Sequence, residues 1–258
     1  MILKTNSLTI GYKQVLPIQQ ELNLSVSEGE MVCLIGPNGC GKSTLIRSIA
    51  GLQPCLAGEV YIGGKAISKQ SNKDRALLIS LVLTDRVEGG NLTVFDVVAM
   101  GRYPYTSWLG GLSEADKQLA WEALKQVRLT AFAKRYLNEL SDGERQRAMI
   151  AKACVQDTPL IILDEPTAHL DLPNRIEIML LLRNLAKNNQ KSILLSTHEL
   201  DLALQTADTV WLMEQYKGIT VGAPEDLVSN GAIQRLFANS SFSFDNLSGG
   251  FRLKLSEL

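Results

Sequence analysis

Long apolar runs are missing from this 258-residue sequence, and the longest stretches of that kind, "PLIIL" and "SILLS", are strand-sized. A membrane-spanning helix needs about 20 consecutive apolar residues, so any work at a bilayer would require a separate membrane chain. The N-terminus, "MILKTNSLTIGYK", shows neither the basic-then-apolar organisation nor the small-residue cleavage site of a secretory signal. An excess of either charge is also missing. Twenty-six basic residues stand against 27 acidic ones, a formal net charge of -1, and no basic stripe marks a nucleic-acid binder. The four cysteines, Cys33, Cys40, Cys55 and Cys154, fall at no metal-ligand or redox spacing. They read as reduced structural thiols of a cytosolic protein. No repeat or low-complexity segment marks a linker.

What remains is a soluble globular composition, 45% hydrophobic and 21% charged, in a length that suits one large domain or two small ones. Positions 2–10 and 20–26 alternate apolar and polar, as antiparallel strands covered on one face do. "EMVCLIG" is continuously apolar, which predicts a strand buried on both faces. A glycine-rich turn follows it and opens a short helix, "KSTLIRSIAGL", that stops near Gly51. Further strand-sized runs at 77–83, 160–164, 192–196 and 209–213 alternate in their later part with helix-length segments, which predicts an α/β fold with a parallel sheet. Positions 93–137 hold three helical patterns with no strand between them, "TVFDVVAMGRY", "SEADKQLAWEALKQV" and "TAFAKRYL". In the second, Ala115, Leu119, Ala123, Leu124 and Val127 form the predicted apolar face and Ser113 the cap. These helices read as a subdomain inserted into the α/β core.

"GPNGCGKST", from Gly36 to Thr44, fits the phosphate-loop pattern G-x-x-x-x-G-K-[ST] in full (Gly36, Pro37, Asn38, Gly39, Cys40, Gly41, Lys42, Ser43, Thr44), with a strand before it and a helix after. Such glycines let backbone N–H groups converge on phosphate oxygens at a helix N-terminus. Lys42 is expected to reach the β- and γ-phosphates of ATP, and Ser43 to ligate Mg²⁺. "LIILDEPT" delivers Asp164 at the end of an apolar strand, placed to hold the Mg²⁺ shell, and Glu165 directly after it, placed to polarise an attacking water. Two acids after a strand are by themselves more often a cap or a solvated loop; the phosphate loop reverses that expectation. His198, in "LLSTHEL", ends another apolar strand and is expected to contact the γ-phosphate.

On these motifs the sequence resembles the ATP-binding-cassette (ABC) ATPases over nearly its whole length. The resemblance implies a RecA-like P-loop NTPase core with an N-terminal antiparallel β subdomain and an inserted helical subdomain, all within one ABC ATPase domain. Its expected division is a core of 1–84 and 157–240, a helical subdomain of about 85–156 and a tail of 241–258. Tyr12 sits where the family stacks an aromatic on adenine, although a lone tyrosine there also suits a buried strand position. Asp171 matches the D-loop, which crosses the family's dimer interface. Two Leu-Ser-x-Gly stretches compete for the signature motif. "LSDGERQR" shortly precedes the Asp-Glu strand and leads into a helical pattern, whereas "LSGG" at 247–250 runs into the strand-like "FRLKL" and reads as a hairpin turn. The former, with Ser141, Asp142, Gly143 and Glu144, is therefore the expected signature, acting on ATP held by a second copy. The active form implied is a head-to-tail dimer with two ATP molecules, a homodimer or a pair with a similar chain.

Two departures from the family pattern stand out. Asp142 and Glu144 replace a glycine and the glutamine of LSGGQ, with Arg145 and Arg147 close enough in sequence to offset their charge. Thr84 occupies the Q-loop position where the family has a glutamine that touches Mg²⁺, so this loop, with Asp85 beside it, is expected to bind the metal weakly. "LTVFDVVAMGRYPYTSW" resembles the ATPases of iron-siderophore, haem and vitamin B12 importers. Its aromatics fit either a permease contact or the ordinary surface of the helical part. The expected function is the ATPase of such an importer, peripheral on the cytoplasmic face of the inner membrane. Its partners would be an integral-membrane permease and, indirectly, a periplasmic or surface binding protein, with no nucleic acid. The rival is a soluble ABC ATPase of assembly or regulation, such as iron–sulfur cluster construction. Translation-factor relatives carry two cassettes and DNA-repair relatives a long coiled coil, and neither is present here.

Overall fold

A computed structural model of the protein describes residues 1–12, 16–83, 90–106, 111–236, 242–245 and 250–253, the last two segments as backbone only. Two sheets share one hydrophobic layer. The first is antiparallel: β1 (Leu3–Ile10) pairs with β2 (Gln19–Leu22), β3 (Ser25–Val26) and, on its other side, the later β5. The chain then enters the second sheet at β4 (Met31–Ile35), turns through the glycine-rich loop into α1 (Lys42–Ile49), and returns to the first at β5 (Ala57–Ile62) and β6 (Lys65–Ala66). After α2 (Asn72–Ala76) comes β7 (Ile79–Val82). The helices α3 (Val94–Ala99), α4 (Glu114–Gln126) and α5 (Asp142–Val155) lie between β7 and its parallel neighbour β8 (Leu160–Asp164). The sheet is completed by α6 (Leu172–Asn189), β9 (Ser192–Ser196), α7 (Leu200–Thr206), β10 (Thr209–Glu214) and β11 (Gly218–Gly222), with the order β11-β10-β4-β9-β8-β7 and every pairing parallel except the last hairpin.

The continuous apolar runs are explained by burial on both faces. In β4, Met31, Cys33 and Ile35 enter the core under α6 and α7, while Val32 and Leu34 enter the core shared with α1 and the antiparallel sheet. Ile161 and Leu163 of β8 repeat the first set, and Leu160 and Ile162 the second. Alternation along a strand thus separates two cores, as expected for a parallel sheet covered by helices. Cys33, Cys40, Cys55 and Cys154 are all unpaired thiols. Burial pushes the Cys154 thiol up to about 12 and raises the other three as well, which favours the protonated thiol over the thiolate.

The segment between β7 and β8 has its own core, centred on Val94, Val98, Leu124, Leu129 and Leu137. Two sequence expectations are corrected there. The buried face of α4 is Ala120, Ala123 and Leu124, continued by Val127, whereas Ala115 and Leu119 are exposed. The stripe is turned because α4 packs against both α3 and α5. Residues 130–137 form 3₁₀ turns at Thr130–Phe132 and Leu137–Glu139 instead of an α-helix. The carbonyls of Ala133 and Arg135 are taken by the backbone N–H groups of Phe95 and Val94, both at 2.9 Å, so they cap α3 and cannot continue a helix of their own. After α8 (Pro224–Ser229) and α9 (Ala232–Leu236) come β12 (Phe242–Asp245) and β13 (Gly250–Leu253), which pair antiparallel; Leu247, Ser248 and Gly249 of the second Leu-Ser-x-Gly stretch lie outside the described residues.

Candidate functional site

The C-terminal edge of the parallel sheet gathers one group of residues. The loop from Gly36 enters α1 through Gly41, whose φ of 110° is left-handed, a conformation that favours glycine. Pro37, Asn38 and Gly39 are exposed, and Gly36 and Cys40 are buried. Lys42 is only 5% exposed and donates from Nζ to the carbonyls of Gly36 at 2.9 Å and Pro37 at 3.3 Å. Burial lowers its ammonium pKa, against the opposing fields of Cys40, Glu165 and Asp164. Ser43 Oγ lies 3.2 Å from Asp164 Oδ1. Tyr12 lies two residues past the end of β1 and is exposed, not a buried strand residue, and its hydroxyl lies 3.5 Å from Thr44 Oγ1.

Asp164 is the last residue of β8 and is paired in register with Ser196, the last of β9. Its Oδ1 accepts a 2.6 Å hydrogen bond from Ser196 Oγ. Glu165 follows with φ 50°, an uncommon left-handed value for a residue of its kind, and its backbone N–H donates to the same Ser196 Oγ at 2.9 Å. His198 Nε2 lies 2.7 Å from Glu165 Oε1. The histidine expected from sequence to contact the γ-phosphate thus lies within hydrogen-bond reach of Glu165 on the same sheet edge. Together these side chains offer a buried cation, a hydroxyl and two carboxylates on one sheet edge. That set suits phosphate binding and proton acceptance from water. Sequence reasoning missed Ser196. The signal for it was a polar residue closing the apolar run "SILLS" two positions before His198.

A second group is built on the facing ends of α5 and α6. Ser141 caps α5: its hydroxyl accepts from the Glu144 N–H at 3.3 Å, while its own hydroxyl and N–H donate to Glu144 Oε2 at 2.7 and 2.8 Å. This capping box holds the Glu144 carboxyl below the usual carboxylate range. Asp171 caps α6 in turn, and its Oδ1 accepts from the Asn174 side chain at 2.6 Å and the Asn174 N–H at 3.1 Å, bonds that keep its carboxyl low as well. Gly143 lies against Asn174 so closely that a Cβ would fall 2.3 Å from Asn174 Oδ1. Arg147 donates to that Oδ1 at 3.3 Å and pairs with Glu177 at 3.1 Å, while Arg145 pairs with Asp142 at 3.5 Å. Arg145 and Arg147 were expected from sequence to offset the charge of Asp142 and Glu144, and Arg145 pairs with Asp142 while Arg147 turns to α6; Asn174 had no motif to announce it. Thr84 and Asp85 lie outside the described residues.

Arg102 and Tyr105 have internal work. Arg102 binds Asp116 at 2.8 Å and the Val155 carbonyl at 3.1 Å, under the Tyr105 ring at 3.8 Å, and the Tyr105 hydroxyl donates to the Gln156 carbonyl at 2.9 Å. Tyr103 remains 53% exposed.

Comparison with known proteins gives the following. The family model described as ABC transporter matches residues 19–168. The petrobactin import ATP-binding protein FpuD of Bacillus anthracis is 38% identical over 235 residues, 91% of this chain and 86% of its own. The iron(3+)-hydroxamate import ATP-binding protein FhuC of Bacillus subtilis is 36% identical over 235 residues, 91% of this chain and 87% of its own. Among solved structures, an inward-facing transporter assigned to the metal-chelate ABC type superposes with a TM-score of 0.80 at 28% identity, covering 92% of this chain and 89% of the other. The dimeric post-hydrolysis state of the ATP-binding cassette MJ0796, bound to ADP and Pi, gives 0.72 at 28% identity and covers 86% and 99%.

Proposed function

This chain belongs to the ABC transporter family, and we propose that it is the ATP-hydrolysing subunit of an importer for a metal chelate, an iron-siderophore being the favoured cargo. The observation that carries the ATPase reading is the convergence of Lys42, Ser43, Asp164, Glu165 and His198 on one sheet edge. The cargo class is supported by the import names of the relatives and by the metal-chelate transporter among the structural neighbours.

The residues take the following parts. The phosphate loop and the N-terminus of α1 bind the triphosphate through backbone N–H groups, and Lys42 leaves its loop carbonyls for the β- and γ-phosphates. Tyr12 stacks on adenine. Glu165 accepts a proton from the attacking water, and His198, hydrogen-bonded to its Oε1, keeps that carboxylate aimed. Ser43 and Asp164 bring a hydroxyl and a carboxylate oxygen to within 3.2 Å, a hard oxygen donor set that fits Mg²⁺. These two residues would hold the ion, which supplies neutralisation of the charge on the phosphates.

Ser141, Asp142, Gly143 and Glu144, with Asp171, stand on other elements than the phosphate loop. We assign them to ATP held by a second copy in a head-to-tail homodimer, a reading supported by the dimeric cassette bound to ADP and Pi. The chain is divided into a core of 1–84 and 157–240, a helical part of about 85–156 and a tail. No described helix is long and apolar enough to cross a membrane. We place the chain peripherally on the cytoplasmic face, against a separate permease that a binding protein feeds. The test is recovery of a tagged Glu165→Gln chain from its native membranes in mild detergent with ATP. A multi-helix membrane protein that copurifies is the expected result, and recovery of soluble assembly proteins alone would overturn the importer reading.

A further inference from the structure

Ser196 is fully buried at the end of β9, a strand otherwise apolar from Ile193 to Leu195. A buried hydroxyl is unfavourable unless it is hydrogen-bonded, and this one uses its donor and its acceptor function on two consecutive residues. It donates to Asp164 Oδ1 at 2.6 Å and accepts from the Glu165 N–H at 2.9 Å. The same Oδ1 faces Ser43 Oγ at 3.2 Å. Glu165 holds a left-handed backbone, φ 50°, that persists only where its surroundings over-determine it. Its side chain is held from the other end by His198, two residues along the chain from Ser196. The end of β9 thus grips Glu165 at both backbone and carboxylate, and grips Asp164 as well.

We propose that Ser196 is a positioning residue for ATP hydrolysis, its hydroxyl fixing the Asp164 carboxylate and the Glu165 backbone relative to each other. The assignment rests on the ATPase reading above. One hydroxyl sets the distance between the acid on the metal side and the acid on the water side. It acts through those two residues and touches neither nucleotide nor ion.

The experiment compares Ser196→Ala, Ser196→Thr and Ser196→Cys in the full chain. Removing a hydrogen-bond partner behind a metal-binding carboxylate costs about 10–100-fold in metal affinity or activity. For Ser196→Ala the expected result is a kcat about tenfold or more below the parent with KM for ATP within about twofold, and Mn²⁺ affinity of the nucleotide-bound chain, read by electron paramagnetic resonance, reduced about tenfold. Nucleotide binding in EDTA should stay at the parent level. Ser196→Thr, which keeps the hydroxyl, should recover both quantities. Ser196→Cys fills the space with a weak donor and should not, so it decides the matter if the alanine variant fails to fold. Parent-like kcat and Mn²⁺ affinity in Ser196→Ala or Ser196→Cys would overturn the proposal. Lys42→Ala and Glu165→Gln run alongside: if these hydrolyse ATP as the parent does, the site itself is misassigned and the Ser196 role falls with it.

Discussion

The sheet edge and the capped helix end are built on opposite plans. At the edge, Lys42, Asp164 and Ser196 are buried and hydrogen-bonded into one another's surroundings, and three parallel strands, β4, β8 and β9, fix their positions. At the helix end, Ser141 and Asp142 are exposed, and their hydrogen bonds run to residues within a turn of the same helix. The first group is suited to holding charge in place. The second presents a helix N-terminus, favourable to anions, outward. On the reading proposed above, the two groups serve one site only when two copies associate, and they should respond differently to substitution.

The largest effect is expected at the edge. Glu165→Gln removes the proton acceptor and should lower kcat by about 10²–10⁴-fold while ATP binding persists, measured by phosphate release and by equilibrium nucleotide binding. Near-parent turnover would break the contrast at its stronger end. Next comes the helix end. Ser141→Ala removes a hydrogen bond to a charged group, about 1.5–3 kcal/mol or roughly 10–100-fold in rate. Mixing Ser141→Ala chains with equally impaired Lys42→Ala chains should restore part of the lost rate, because one composite site in the mixed dimer keeps both residues. No recovery on mixing would show that the two groups do not serve one site across subunits.

A smaller effect concerns how the helix end is seated. Gly143→Ala drives a methyl into Asn174, whose side chain is itself tied to Asp171 and Arg147, and should cost about 1–3 kcal/mol of stability by denaturant unfolding. Adding Asn174→Ala should return much of that loss, and strictly additive effects would refute the contact. The smallest lies away from both groups. Asp208 joins the Met31 N–H at 2.9 Å, Arg183 at 3.0 Å and Lys187 at 2.7 Å, tying α6 to the central strand. Burial raises its pKa, but the bonds from Lys187 and Met31 and the charges of Arg183 and Lys187 outweigh it, so the net shift is downward. A carboxyl depressed in the folded state contributes stability at pH values above its unfolded pKa of about 3.9, and that contribution disappears as pH falls through the folded value. Asp208→Asn should therefore lower stability by about 1 kcal/mol near neutrality and leave almost no difference from the parent in strong acid, read as Tm against pH.

Much of the sheet edge was readable from sequence because each of its parts follows a local rule. An apolar run predicts a doubly covered strand, a glycine pattern predicts the loop, and the polar residues after each strand mark the edge. The elements at 160–164 and 192–196 match the structure residue for residue. The helix end was harder. Ser141 and Glu144 were read as part of the signature stretch and Arg147 as a charge offsetting its acids, but the capping box, Asn174 and the Arg147–Glu177 pair appear only when α5 forms and meets α6, a contact that no spacing along the chain encodes. The same holds for residues 130–137, whose helical pattern gave way once their carbonyls capped α3. The turned face of α4 was likewise decided by two neighbours that the periodicity of a single helix cannot see. Local rules carried the chain as far as its first tertiary contact.

The left-handed backbone at Glu165 has a further meaning for how this protein can change. Asparagine and aspartate enter that conformation far more readily than glutamate, so drift toward either would relax the turn and make the folded chain more robust. The same drift would shorten or neutralise the carboxylate that His198 holds. With Glu165 as the proposed proton acceptor, durability and turnover are set against each other at a single position, and a search for hardier variants of this protein that ignores activity will tend to find less active ones.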